Sequence, residues 1–100
     1  MFGLDDRDIK IIQNIGKSYE GINQILVFGS RALENYKKSS DVDLAIVGDL
    51  EQTEIWAISG LLNDELLTPY FYDVVNFETI TNVDLKNSIK NFGKVIYKKS

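Results

Sequence analysis

The stretch that decides the fold reads Ile25-Leu26-Val27-Phe28-Gly29-Ser30, followed after ten intervening residues by Asp41-Val42-Asp43-Leu44-Ala45-Ile46-Val47. The first run is apolar up to its glycine, which predicts a strand over 24–28 and a turn after it. The second run predicts a strand over 42–47 that ends at Gly48. Successive side chains of a strand point to opposite faces of a sheet, so Asp41 and Asp43 share one face. We therefore expect two strands, a glycine turn and a pair of carboxylates in one region.

Helices and strands alternate on both sides of this stretch. A strand is predicted over Phe71–Phe77 and a short edge strand over 95–97. The predicted helices share an N-cap residue or an apolar stripe. They are a helix over 6–19 capped by Asp5, a short helix beginning at Ser30, a helix capped by Thr53 with the stripe Ile55, Ile58, Leu62 and Leu66, and a helix capped by Thr81 or Asn82 that ends at Gly93. This order predicts an α+β fold with α/β-like alternation, in which about four helices pack on a sheet of three to four strands.

Composition limits both the size of the protein and its chemistry. The 100 residues, 44% of them hydrophobic, suit one small domain spanning 1–100. No apolar run approaches the roughly 18 residues of a membrane span, and Met1-Phe2-Gly3-Leu4 leads into charged residues, so we expect a cytoplasmic protein without membrane contact. The chain contains no cysteine and no histidine, which excludes thiol and imidazole catalysis. Carboxylates, hydroxyls, lysines and arginines remain for chemistry.

The net charge of −4 is unevenly distributed along the chain. Residues 84–100 hold five lysines and one aspartate and carry +4, so the first 83 residues carry −8. An acidic body does not favour tight non-specific binding to nucleic acid, and we expect no direct nucleic-acid partner. The lysine-rich end is either a solvated surface or a contact for phosphate or a partner.

A third carboxylate, Asp73, stands within an otherwise apolar run. If its strand lies beside the strand over 42–47, Asp73 joins Asp41 and Asp43. Carboxylates held this close repel, and a divalent cation with hard oxygen ligands relieves the repulsion. Two magnesium ions can clamp the attacking and leaving oxygens of an in-line displacement. Asp73 would act as the general base for an incoming hydroxyl or as a metal ligand beside it. The simpler alternative is that these carboxylates only lie on a solvated face.

Gly29 and Ser30 suit the phosphates of a nucleotide. Glycine allows a sharp turn and a close backbone approach, and a helix that begins just after it would present unpaired N–H groups to phosphate oxygens. The Ser30 hydroxyl could add to these donors. Arg31, or the Lys37-Lys38 pair, could neutralise a triphosphate, although loop lysines are commonly just solvated.

These residues also carry a family resemblance. Gly29-Ser30-Arg31-Ala32 with Ser40-Asp41-Val42-Asp43-Leu44 resembles the motif of the DNA polymerase β-like nucleotidyltransferases. The chain is most similar to the minimal nucleotidyltransferases (MNT) of HEPN/MNT toxin–antitoxin pairs, over nearly its whole length. The resemblance implies a nucleotidyltransferase fold with a mixed sheet. It also implies magnesium, as two ions, at Asp41, Asp43 and Asp73, and nucleotide contacts at Gly29, Ser30, Arg31 and Ser40.

The resemblance further implies an antitoxin that transfers AMP from ATP to a tyrosine of a helical HEPN ribonuclease and forms a hetero-oligomer with it. Larger transferases add a helical domain for the acceptor, and 100 residues leave no room for one, so a partner would supply that surface. The aromatic run Pro69-Tyr70-Phe71-Tyr72, with Trp56, could contribute to such an interface or belong to the core. Tyr70 is the ring that we expect to be exposed.

Two other functions remain open from the sequence. The protein could be an antitoxin that masks its partner by complex formation without catalysis. It could also be a nucleotidyltransferase that acts on a small molecule or on RNA ends.

Overall fold

The computed structural model describes residues 1–37, 39–65 and 68–100. Its α-helices are α1 (Asp6–Ser18), α2 (Gln52–Gly60) and α3 (Val83–Phe92), and its strands are β1 (Ile22–Phe28), β2 (Val42–Gly48), β3 (Tyr72–Asn76) and β4 (Lys94–Lys98). A π-helical turn (Leu61–Glu65) continues α2, and a 3-10 turn (Phe77–Thr79) follows β3. These elements confirm the α+β class. Every helix in the described part of the chain falls short of the length and apolarity that a membrane crossing requires.

The four strands form one mixed sheet in the order β3-β2-β1-β4. Strand β1 is antiparallel to both β2 and β4, whereas β2 and β3 are parallel. The parallel pair is connected through α2, as expected because parallel neighbours require a crossover connection. The short strand predicted over 95–97 is therefore present, as β4 at one edge of the sheet.

The core lies on one face of the sheet, and this fixes the direction of the acidic side chains. Val42, Leu44 and Ile46 of β2 are buried in the cluster that includes Ile12 of α1 and Ile55 of α2. Because side chains alternate along a strand, Asp43 points to the opposite face, where it is half-buried. Apolar packing on one face thus leaves the carboxylate on the face that helices cover less.

Helix ends differ from the predictions in detail. Asp5 caps α1 as predicted and accepts a hydrogen bond from the Asp8 N–H at 3.0 Å. Asn82, one of the two predicted caps, is the N-cap of α3. Helix α2 is capped by Glu51 instead of Thr53, because the Glu51 N–H donates to Glu54 Oε1 at 3.0 Å and closes the first turn earlier. Leu66, predicted in the apolar stripe, lies outside the described residues.

The helix predicted to begin at Ser30 is not formed. Residues 29–34 make turns instead, with hydrogen bonds from the Leu33 N–H to Gly29 O, the Glu34 N–H to Arg31 O and the Asn35 N–H to Ser30 O. These bonds span four, three and five residues, so no repeating helical ladder develops. The described residues therefore contain three α-helices, one fewer than predicted. Tertiary contacts of Arg31, described below, hold this segment in place of a helix.

Candidate active site

The register of the parallel strands places Asp43 directly beside Asp73. Neighbouring strands lie about 4.8 Å apart, and registered residues point to the same face. The two carboxylates therefore share one surface of the sheet. The condition on which the sequence prediction of a cluster depended, that the strand of Asp73 lies beside that of Asp43, is met.

Asp41 stands at the exposed start of this pair. It immediately precedes β2, whose first residue, Val42, donates its N–H to Phe71 O at 2.9 Å. Within residues 1–37, 39–65 and 68–100, no group of three or more acidic side chains is positioned to hold a metal ion together. The register thus assembles Asp43 and Asp73, while Asp41 lies beside them at the solvent side. Metal binding by these three residues remains a prediction.

The electrostatics of Asp43 report the crowding of negative charge. Partial burial raises the pKa of its carboxyl, and the nearby charges of Asp73 and Asp41 raise that pKa further. The positive charge of Arg31 acts weakly in the opposite direction. A site that disfavours its own anions in this way gains from a bound cation. The donor set of hard carboxylate oxygens fits magnesium.

Gly29 joins the turn to the acidic pair. Its φ of +72° lies in the left-handed region that favours glycine. A Cβ added at Gly29 would collide with Asp43 Oδ2. The backbone of the turn therefore lies directly against the carboxylate, and a side chain at position 29 would push the two apart.

The turn also provides unpaired backbone donors. Among the hydrogen bonds of the described residues, the N–H groups of Ser30, Arg31 and Ala32 have no acceptor. The Ser30 side chain is half-buried. The predicted helix N-terminus is absent, so any phosphate contact here would come from consecutive amides of a turn, an arrangement that also binds anions.

Arg31 is buried, which argues against the predicted contact with nucleotide. Its side chain is only 1% exposed and donates to three backbone carbonyls, those of Phe2 (2.8 Å), Ser40 (2.7 Å) and Asp41 (3.3 Å). The guanidinium also lies over the rings of Tyr36 and Tyr70. Arg31 therefore joins the N-terminal segment to the loop that carries Asp41.

Ser40, also predicted to contact nucleotide, is part of the same loop structure. Its carbonyl accepts from Arg31, and its hydroxyl oxygen accepts from the Lys37 N–H at 2.8 Å. Both groups shape the approach to Asp41. A contact between Ser40 and the nucleotide stays a prediction. Of the lysine pair proposed for a triphosphate, Lys37 is exposed and Lys38 lies outside the described residues.

Asn63 is a positioning residue that sequence reasoning missed. Its side-chain amide pairs with the backbone of Tyr72, donating to Tyr72 O at 2.8 Å and accepting from the Tyr72 N–H at 2.7 Å. Asn63 thereby binds the outer side of β3 next to Asp73. No local pattern indicates this role, because the partner lies nine residues further along the chain.

The exposure of the aromatic residues differs from the prediction. Tyr72 is buried and Tyr70 is half-buried against Arg31, so the expectation that Tyr70 is the exposed ring is wrong. Among Trp56 and the run Tyr70-Phe71-Tyr72, the exposed rings are Trp56, at 66%, and Phe71, at 58%. Phe71 directly precedes β3 and is therefore the aromatic residue at the acidic pair.

Residues 10–100 match the family model described as "Polymerase beta, Nucleotidyltransferase". The chain belongs to this nucleotidyltransferase family. The match includes the glycine turn and all three aspartates, and it confirms the resemblance seen in the sequence. No curated protein matches the chain.

Solved structures share the fold at low sequence identity. A toxin–antitoxin crystal structure with AMP-PNP has a TM-score of 0.74 and 20% identity over 96% of this chain and 76% of the other. A tri-AMPylated Shewanella oneidensis HEPN toxin in complex with an MNT antitoxin gives 0.71 and 18%, over 96% and 74%. An MntA–HepT toxin–antitoxin structure gives 0.70 and 18%, over 95% and 74%. These similarities establish the nucleotidyltransferase fold.

Proposed function

We propose that this protein is a magnesium-dependent nucleotidyltransferase that transfers AMP from ATP to a tyrosine hydroxyl of a HEPN-type helical partner, as an antitoxin. The observation that carries the proposal is the register pair of Asp43 and Asp73 beside the Gly29 turn. Membership of the nucleotidyltransferase family supports the reaction class. The similar complexes of MNT antitoxins with HEPN toxins support the kind of partner.

In the proposed reaction, the acceptor oxygen attacks the α-phosphorus of ATP and forms a new O–P bond. The bond between the α-phosphorus and its bridging oxygen to the β-phosphate breaks, and its electron pair leaves with pyrophosphate. The hydroxyl proton passes to the Asp73 carboxylate and from there to water. Positioning and charge neutralisation supply most of the rate in such transfers.

Each part of the site has a distinct task in this scheme. The backbone amides after Gly29, with the Ser30 hydroxyl, bind phosphate oxygens. Asp41 and Asp43, joined by Asp73, would hold magnesium, which neutralises the triphosphate and polarises the reacting oxygens when bound. Arg31 keeps the loop of Asp41 in place through its three carbonyl contacts. Residues 1–100 act as one catalytic unit, and the partner brings the acceptor.

The test is to combine the protein, magnesium and ATP with its HEPN partner and to look for added AMP by mass spectrometry. Asp43→Asn should abolish transfer, and Asp49→Asn serves as the matched control, because Asp49 is exposed beyond the other end of β2. A partner that is inhibited but never modified would favour masking. AMP found on small molecules or RNA ends, with the partner unmodified, would favour the remaining alternatives.

A further inference from the structure

Phe71 directly precedes β3 and lies beside the acidic pair of Asp43 and Asp73. Over residues 70–73, exposure alternates: Tyr70 and Tyr72 point toward the core, whereas Phe71 and Asp73 are exposed. Side chains two residues apart on a strand share a face. Phe71 therefore lies on the face of Asp73, and the hydrogen bond from the Val42 N–H to its carbonyl places it next to Asp41.

The order of the strands assigns the two flanks of the site to different parts of the reaction. The Gly29 turn follows β1, on one side of β2, and Asp73 lies on β3, on the other side. An in-line displacement puts the attacking and leaving oxygens on opposite sides of the phosphorus. If phosphates bind at the Gly29 turn, the acceptor enters from β3, which is the flank that Phe71 lines.

The backbone around Phe71 is held from both sides. Its carbonyl accepts from Val42, and the next residue, Tyr72, makes two hydrogen bonds with the Asn63 side chain. The ring is nevertheless 58% exposed and does not belong to the core cluster. Single exposed apolar residues are common on protein surfaces, so exposure alone carries no argument. Phe71 is distinguished by its position on a fixed backbone beside Asp73.

We propose that Phe71 is the acceptor-binding residue of this site, an aromatic surface on which the ring of an acceptor tyrosine packs while its oxygen approaches Asp73. This inference rests on the proposed function and names how that function selects its acceptor. Aromatic pairs in offset or edge-to-face contact favour binding beyond the burial of area. A serine or threonine hydroxyl offers no ring to this surface, so Phe71 selects for tyrosine.

The test uses defined probes, N-acetyl-L-tyrosinamide and N-acetyl-L-serinamide, added to the full chain with magnesium and AMP-PNP. NMR spectra of the labelled protein report which probe shifts the Phe71 ring signals. The tyrosine probe should produce saturable shifts of these signals and the serine probe should not. Followed through the backbone amide signals of the neighbouring Tyr72 and Asp73, Phe71→Ala should weaken binding of the tyrosine probe about three- to tenfold, while AMP-PNP affinity stays unchanged.

Three further variants separate a binding role from a structural one. Phe71→Tyr should retain the affinity of the tyrosine probe, and Phe71→Leu should lose most of it although the site remains apolar. Trp56→Ala removes another exposed ring, from α2, and should leave the affinity of the tyrosine probe unchanged. Trp56 lies on the other side of the sheet from Asp43, because its helix α2 packs through Ile55 and Ile58 against Val42 and Leu44.

The outcomes distinguish this inference from the proposed function. Absent or unsaturable shifts at Phe71, or unchanged affinity in Phe71→Ala, would overturn the role of Phe71 even if AMP transfer to a partner occurs. The opposite outcome is probe binding that depends on Phe71, with no AMP transfer from the wild type to a HEPN partner under ATP and magnesium. It would support the contact with tyrosine and overturn the transferase function.

Discussion

Replacing Asp43 with asparagine should stabilise the protein in the absence of magnesium. Asp43 and Asp73 are registered neighbours, so their carboxylates lie about 5 Å apart. Two unit charges at that distance repel by roughly 3 kcal/mol at an effective dielectric constant of 20, and solvent around these partly exposed groups reduces this to about 1 to 2 kcal/mol. Asparagine has nearly the same shape and carries no charge. We expect Asp43→Asn to raise the free energy of unfolding by about that amount at pH 7.

The pH dependence follows from the raised pKa of Asp43. A raised folded-state pKa means that folding favours the protonated form. The stability that this carboxyl contributes is therefore fully present below its ordinary pKa and is lost as the pH rises through the raised value. The wild type should lose stability as the pH rises from the ordinary pKa of an aspartate to the raised pKa of Asp43. Asp43→Asn should not show this loss, because asparagine does not titrate. Magnesium should stabilise the wild type and leave Asp43→Asn nearly unchanged.

Urea and thermal denaturation, each followed by circular dichroism, measure the change in the free energy of unfolding. Repeating both with and without magnesium, and at several pH values, measures the other two dependences. A change of 1 kcal/mol corresponds to about 4–8 °C in Tm for a chain of this size. Asp49→Asn is the control, since Asp49 lies six residues further along, roughly 20 Å from Asp43, and should change stability by less than about 0.5 kcal/mol. Repulsion between Asp43 and Asp73 is refuted if Asp43→Asn is no more stable than Asp49→Asn without magnesium. Magnesium binding at Asp43 is refuted if magnesium stabilises Asp43→Asn as much as it stabilises the wild type.

Three other substitutions test the structure around the site. Gly29→Ala should cost about 1–2 kcal/mol for its left-handed backbone and displace Asp43, which weakens magnesium binding in calorimetry. The control Gly60→Ala should not destabilise, because a Cβ added there would lie 3.8 Å from Asp64 Oδ2, an ordinary contact distance. Arg31→Met should lower the free energy of unfolding by about 3 kcal/mol or more, because three carbonyls lose their donor. Arg31→Lys should recover only part of this loss. A loss below about 1 kcal/mol in Arg31→Met would contradict the structural role of Arg31. Asn63→Ala should cost about 2–3 kcal/mol and speed amide exchange at Tyr72, unlike the exposed control Asn91→Ala; unchanged exchange would show that Asn63 does not hold β3.

Local patterns predicted most of the elements because the forces that form them act over a few residues. The apolar run before Gly29 and the alternation after Asp41 specify β1 and β2, and Asp5 and Asn82 cap their helices as short polar residues do elsewhere. Where a distant group competes, the local prediction is wrong. The segment after Gly29 has a helix-like beginning, but Arg31 takes carbonyls of Phe2, Ser40 and Asp41, and the segment forms turns.

The residues of the candidate site also differ in whether a local pattern or tertiary packing decides their role. Asp41 and Asp43 were found from spacing, because alternation along one strand is a local property. The sequence offered Asp73 only conditionally, since the partner and register of a strand depend on the packing of the whole chain. Arg31 was predicted as a phosphate contact and is instead buried, and Tyr70 was expected to be exposed where Phe71 is. Charge and aromaticity are visible in a sequence, but burial is set by neighbours that are distant along it.

By itself, the sequence determined the chemistry of this protein: carboxylates without histidine or cysteine, a glycine turn, and a motif whose family was confirmed. Only the tertiary structure decided which of these groups meet. The sheet order places the Gly29 turn and Phe71 on opposite sides of Asp43, and the parallel register brings Asp73 beside it. The physical reason is that residue types fix what an interaction can be, whereas strand pairing across 30 residues fixes whether it occurs.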